Sequence, residues 1–379
     1  VVHFPGFEPL STEDHHSRYQ RSASQSAAVW DAAFSVAPLA GNRVTVTGEG
    51  PGWRTETTLH ILDHNALIQS LRDCGPLTEI VRGFRAFFIA AILEGGFLAY
   101  ARTAWRFSGF FVFPFLYMAF GIALGLLLGL APLAVGLPAV HLLWSLPLGG
   151  LIFWRIFLPF TDRLHTRALF ANWQMAVKVA RENDPLFNGW MRDQVGAVRR
   201  AFAEDAEEYL ITSHSMGSNL AVQVVGRLLE EDPGFFRGKR VVFATLGGAA
   251  LQCALLRSAR AMRKRVRLIA ECPDIEWIDV QSLTDIINFY KANIPAACGH
   301  RDVKQPRHIR LRFRHVLTDD HYRRIKRDFL RVHRQYVLGP SRRGNFDFTL
   351  FTAGPFRAEE FVDFRSDRLP DLGRFQRPE

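Results

Sequence analysis

Cysteine is scarce in this chain of 379 residues, and the four present (Cys74, Cys253, Cys272 and Cys298) form no Cys-x-x-Cys pair. That spacing argues against a disulfide framework or a zinc site and suits a reducing compartment. No basic stripe interleaved with aromatics occurs, and no nucleic-acid motif. The net charge of +10 therefore points to an anionic membrane leaflet and not to nucleic acid. Internal repeats and low-complexity tracts are also missing. The opening Val1-Val2-His3-Phe4 has no initiator Met and no basic leader of a signal peptide, so a short preceding piece is expected.

The most informative absence is of charge. The 48 residues from Phe107 to Trp154 contain no Asp, Glu, Lys or Arg. A bilayer span needs about 20 apolar residues, so two transmembrane helices are expected, at about 108–130 and 138–158. The turn Ala131–Pro138 joins them. Arg82, Arg85, Arg102 and Arg106 precede the pair, Arg155, Arg163 and Arg167 follow it, and the turn has no Lys or Arg. By the positive-inside rule both ends lie in the cytoplasm, which places the protein in the cytoplasmic (inner) membrane. The stretch from about Thr78 to Trp105 reads as an interfacial helix, because its arginines and Glu94 disfavour a third span.

Outside that insertion, strand and helix patterns alternate. Val1–Phe4, Arg43–Thr47 and Thr55–Leu62 read as early strands, with a helix from about Ser11 to Val36. Later strands are expected at Glu208–Thr212, Arg240–Thr245, Val266–Ala270, Glu276–Val280 and Arg307–Phe313, interleaved with helices. Helices are expected at Leu220–Glu230, at about Ala249–Arg263 and at about Asp319–Val332, and Phe346–Phe351 reads as an edge strand. Such alternation implies an α/β fold, a mainly parallel sheet with helices on both faces.

Ser213-His214-Ser215-Met216-Gly217 lies between a strand and a helix. A nucleophilic serine needs a tight, exposed turn, with small residues two positions before and after it. Ser213 and Gly217 fill those positions. The Met216 N–H would open the following helix, facing a developing negative charge. Two acids follow, Asp279 inside a strand and Asp285 a few residues past its end. Asp285 is the favoured acid. Three late histidines can serve as base: His333, which is favoured, His315 and His321.

Val1-Val2-His3-Phe4-Pro5-Gly6-Phe7, Ser213–Gly217 and the order serine, acid, histidine resemble the α/β-hydrolase superfamily, across the chain outside the hairpin. His333-Arg334-Gln335-Tyr336 is similar to the His-x-x-Tyr segment that closes many of its lipases and esterases. Pro5-Gly6-Phe7 resembles the His-Gly-x loop that lends a second oxyanion donor, here the Phe7 N–H, with proline in place of the histidine. The resemblance implies a hydrolase domain in two parts, 1–77 and 161–339, around a membrane insertion at 78–160, with a C-terminal extension at 340–379. It implies a serine hydrolase with catalytic Ser215, Asp285 and His333, and Met216 and Phe7 as oxyanion donors, and the position of the insertion makes a lipophilic acyl ester the expected substrate. No cofactor and no metal are expected, and the expected partners are the lipid bilayer and the ester. A thioesterase, amidase or acyltransferase would use the same residues. A catalytically inactive scaffold on the same fold is the rival of a different class.

Overall fold

Eight strands assemble into one sheet in the computed structural model, which describes residues 1–376. They are β1 (Val2–Phe4), β2 (Ala33–Val36), β3 (Arg43–Gly50), β4 (Trp53–Ile61), β5 (Tyr209–His214), β6 (Val241–Leu246), β7 (Ile275–Ser282) and β8 (Arg307–Leu311). Their order across the sheet is β2-β3-β4-β1-β5-β6-β7-β8. β2, β3 and β4 form an antiparallel meander. Every neighbouring pair from β4 to β8 is parallel. The α/β architecture with a mainly parallel sheet is thus as expected.

Successive side chains of a strand face opposite sides, so a strand buried on both must be apolar throughout. On β6, Val241 and Phe243 enter one core while Val242 and Ala244 enter the other. Helices Thr166–Arg181, Gly217–Glu231 and Arg260–Glu271 cover the first core. The second takes helix Thr12–Trp30 and the C-terminal Phe348, Leu350 and Phe361. Residues 346–364, past Gly339, therefore help complete a core.

Two helices, Trp105–Ala134 and Ala139–Leu164, are each long and apolar enough to cross a membrane. They touch through glycine: a Cβ on Gly149 would lie 2.2 Å from the Gly125 carbonyl oxygen. Ser145 Oγ donates to the Gly129 carbonyl at 2.6 Å. The lower end of the first helix belongs to the sheet's core, where Phe107, Phe111 and Phe115 are buried.

Six local expectations change, and two of them are breaks. The helix expected at about Ala249–Arg263 splits into Ala250–Ala254 and Arg260–Glu271, and that at about Asp319–Val332 into Asp319–Ile325 and Phe329–His333. The helix expected over about 78–105 is bent by 69° between Pro76–Leu93 and Gly96–Thr103. Gly95 adopts φ 69° there, and Glu94 turns inward to Arg181 (2.8 Å) and the Ser258 N–H (2.8 Å). Val266–Ala270 is helical because Met262, Val266 and Ile269 recur at helical spacing among basic residues. Phe346–Phe351 forms no edge strand, since Asp347 caps a helix over Phe348–Ala353 by accepting from the Thr349 and Leu350 N–H groups. The first helix stops at Trp30, where Asp31 takes φ 53°, and Ala33–Val36 becomes β2.

Candidate active site

β5 is buried along its whole length and stops at His214, and the chain then reverses into helix Gly217–Glu231. Ser215 makes the reversal at φ 53°, in the left-handed region. A residue with a Cβ enters that region at a cost of about 1–3 kcal/mol, so its surroundings must hold it there. Its N–H donates to Leu246 O (3.2 Å), and its carbonyl accepts from the N–H groups of Ser218 (3.0 Å) and Ala249 (3.2 Å).

The residues around the turn are dictated by crowding. A Cβ at Gly217 would sit 2.2 Å from Pro5 O and 2.3 Å from Phe4 O, so the turn and the end of β1 meet backbone to backbone. A Cβ at Gly6 would sit 2.7 Å from His214 Nδ1 and 3.3 Å from Ser215 Cβ, which lays the loop after β1 directly on the serine. Ser213, where glycine is more usual, fits because its hydroxyl is within 3.2 Å of both Ser218 Oγ and Ala244 O. The Met216 and Phe7 N–H groups donate to no backbone carbonyl among the described residues. Met216 also stands at the positive end of a 15-residue helix.

Asp285 lies past the end of β7 and is buried. His333 Nδ1 is 2.8 Å from its Oδ2, Tyr336 Oη donates to Oδ2 at 3.2 Å, and the Ile287 N–H donates to Oδ1 at 2.9 Å. Burial pushes the Asp285 carboxyl up, but the His333 ring and these donors outweigh it and hold the acid below its usual value. An ionised Asp285 keeps the proton on His333 Nδ1 and leaves Nε2 as the basic nitrogen. That Nε2 is buried and has no hydrogen-bond partner among the described residues. His333 and Ser215 line the same cavity, a space of about 50 Å³ walled also by Phe7, Phe110, Leu169 and Leu330.

His214 braces His333. Its Nε2–H donates to the His333 carbonyl at 3.0 Å, with the two ring centroids 4.8 Å apart. Burial, then the neighbouring His333, push the His214 pKa down to about 3, so it is neutral at pH 7. Glu8 bridges the loop to the base, pairing with Arg334 at 2.5 Å and with Arg18. Burial raises the Glu8 pKa, but the two guanidiniums outweigh that and hold it at about 2.

The structure thus brings Ser215, Asp285 and His333 to one place, beside the Met216 and Phe7 amides. Asp279 is elsewhere: it accepts from Thr245 Oγ1 (2.7 Å) and Gln281 Nε2 (2.6 Å), and burial raises its pKa. His315 lines a different cleft with His308, Arg310 and Arg312. His321 Nδ1 lies 3.4 Å from Ser341 Oγ. Sequence reasoning did not single out His214, Glu8, Arg334, Asn172, Gln252 or Phe110. Only Tyr336 carried a signal, through the His-x-x-Tyr segment. No group of three His, Cys, Asp or Glu side chains among the described residues could hold a metal ion. Searches for similarity found no protein-family model, curated protein or solved structure that matches the chain.

Proposed function

We propose that this chain is a membrane-anchored serine hydrolase of the α/β-hydrolase type, acting on a lipophilic acyl ester. One observation carries the reading. His333 is held by Asp285 through Nδ1 at 2.8 Å, its Nε2 has no partner among the described residues, and it lines the same cavity as Ser215.

Ser215 Oγ attacks the acyl carbonyl as its proton passes to His333 Nε2, and Asp285 stabilises the imidazolium. The carbonyl electron pair moves onto oxygen, where the Met216 and Phe7 N–H groups can receive the charge. Collapse of this intermediate expels the alcohol, which takes the proton from His333 and leaves an acyl-serine. Water repeats the cycle: His333 accepts its proton, the C–O bond to serine breaks, and Ser215 regains its hydrogen. A thioester or amide would follow the same steps.

The sheet order, the strained turn after β5 and the chain order of serine, acid and histidine support the fold type. The two apolar helices, flanked by arginines, support an anchor in the inner membrane with the sheet on the cytoplasmic side. The reading is tested with a fluorophosphonate probe on the detergent-solubilised protein. Wild type is labelled and Ser215→Ala is spared. Absence of labelling in folded wild type would leave the scaffold reading in its place.

A further inference from the structure

The cavity around Ser215 holds more unmet hydrogen-bonding capacity than the acyl-transfer steps use. Besides His333 Nε2, two other buried polar atoms on its wall have no partner among the described residues: Asn172 Oδ1 and Gln252 Nε2. Asn172 lies on helix Thr166–Arg181 and Gln252 on the short helix Ala250–Ala254. Leaving a buried donor or acceptor unpaired costs about 1–3 kcal/mol, so such atoms persist where a ligand satisfies them. An acceptor and a donor on one wall suit a hydroxyl group, which both gives and takes a hydrogen bond.

The apolar part of the wall leads elsewhere. About 50 Å³ holds one or two water molecules and no alkyl chain. Phe110, on the first apolar helix, lines the cavity, is 5% exposed and packs edge-to-face on Phe329 at 5.6 Å. One turn further along, Phe113 meets the same Phe329 at 6.3 Å. Phe113 also lines an open apolar groove of about 620 Å³ with Gly109, Val112, Leu116 and Tyr117. Leu116 is 66% exposed there, on a helix apolar enough to lie in lipid. The Phe110–Phe329 contact therefore lies between the cavity and a groove that a hydrocarbon chain can occupy.

Resting on the reading of Ser215 as a nucleophile, we propose that the substrate is an amphiphile recognised at both ends. Its hydroxyl-bearing portion binds Asn172 and Gln252. Its hydrocarbon chain passes between Phe110 and Phe329 into the groove, entering sideways from the membrane. Phe110 then limits which chains pass, and the groove of the first apolar helix is the chain's path.

The test uses the full chain in lipid nanodiscs, with ethyl and dodecyl fluorophosphonates as probes. Phe110→Ala should raise the dodecyl-to-ethyl ratio of Ser215 labelling rates about tenfold. Gly109→Phe, where an added Cβ meets no atom within 4 Å, should fill the groove without disturbing the fold and lower that ratio about tenfold. For the polar end, hydrolysis of the glycerol monoester of dodecanoic acid is compared with its methyl ester. Gln252→Leu should lower the glycerol-to-methyl ratio of kcat/KM at least tenfold, and Asn172→Leu similarly. Flat dodecyl-to-ethyl ratios in labelled protein would overturn the chain route, and a flat glycerol-to-methyl ratio would overturn the hydroxyl site. Failure of every probe to label wild type would instead overturn the serine-hydrolase reading itself.

Discussion

Gly217 and Gly149 each let two backbones touch, and in each case an added Cβ would meet a carbonyl oxygen at 2.2 Å. Around Gly217 the contact is fixed by polar links. Ser215 is held by three backbone hydrogen bonds, Glu8 reaches Arg334, and His214 reaches the His333 carbonyl. Around Gly149 there is packing and one hydrogen bond, from Ser145 to Gly129, while outward residues such as Leu127 and Leu143 are exposed by 67% and 78%. Small residues brought this close are how apolar helices associate when burial of hydrocarbon gives no advantage. The same geometric device therefore fixes the turn at Ser215 in one region and joins two helices in the other. Changes in the two regions should fail in different ways.

The largest separation is expected from Asp285→Asn. An amide there favours the wrong His333 tautomer, so fluorophosphonate labelling should slow by about 10⁴-fold. Its thermal unfolding should change far less. Gly149→Leu should give the reverse. Overpacking the helix contact should cost about 3 kcal/mol in thermal unfolding of the solubilised protein, with labelling of the folded fraction preserved. Loss of labelling in this variant, measured well below its unfolding temperature, would break the distinction.

Acid should act on the polar region alone. His214 has a pKa of about 3 when folded against an ordinary value near 6.5. The unfolded chain therefore binds the extra proton between those values. The stability contribution is complete above pH 6.5 and is lost as pH falls toward 3. For this residue the loss is on the order of 3 kcal/mol at pH 4. His214→Gln should flatten the pH dependence of the unfolding midpoint, and an unchanged slope would contradict the assignment. The smallest effect belongs to Tyr336→Phe. It removes one donor from Asp285, worth about 1 kcal/mol, so labelling should slow by about fivefold.

The sequence exposed the parts of this arrangement that sit on chain-local signals. Ser215 stood out because a strand and a helix flank a turn of small residues. Asp285 could be favoured over Asp279 because it falls past the strand end, and His333 over His315 and His321 through its neighbouring Tyr336. The apolar helices were legible from missing charge alone. What stayed hidden depends on residues meeting from remote positions. Glu8, His214 and Arg334 lie in or beside the segments that carry the resemblance, but nothing in those segments links them, and only the fold makes them a brace. Phe110 was concealed by its own context, since a wall residue of a cavity looks identical to a lipid-facing one within an apolar run. The misplaced strand at Val266–Ala270 has a simpler cause: five apolar or basic residues fit either period until the preceding Met262 is counted.

One pairing orders these parts in time. β1 lies beside β5, with His3 Nδ1 2.9 Å from Thr212 Oγ1. The chain between them contains both apolar helices. During synthesis the loop carrying Phe7 emerges first, the hairpin next, and the turn carrying Ser215 afterwards. The donors and the serine can meet only once the hairpin has left the ribosome. Ser215 therefore meets the loop after β1 only in a chain that already carries both apolar helices, and a copy cut short before Tyr209 cannot form this contact.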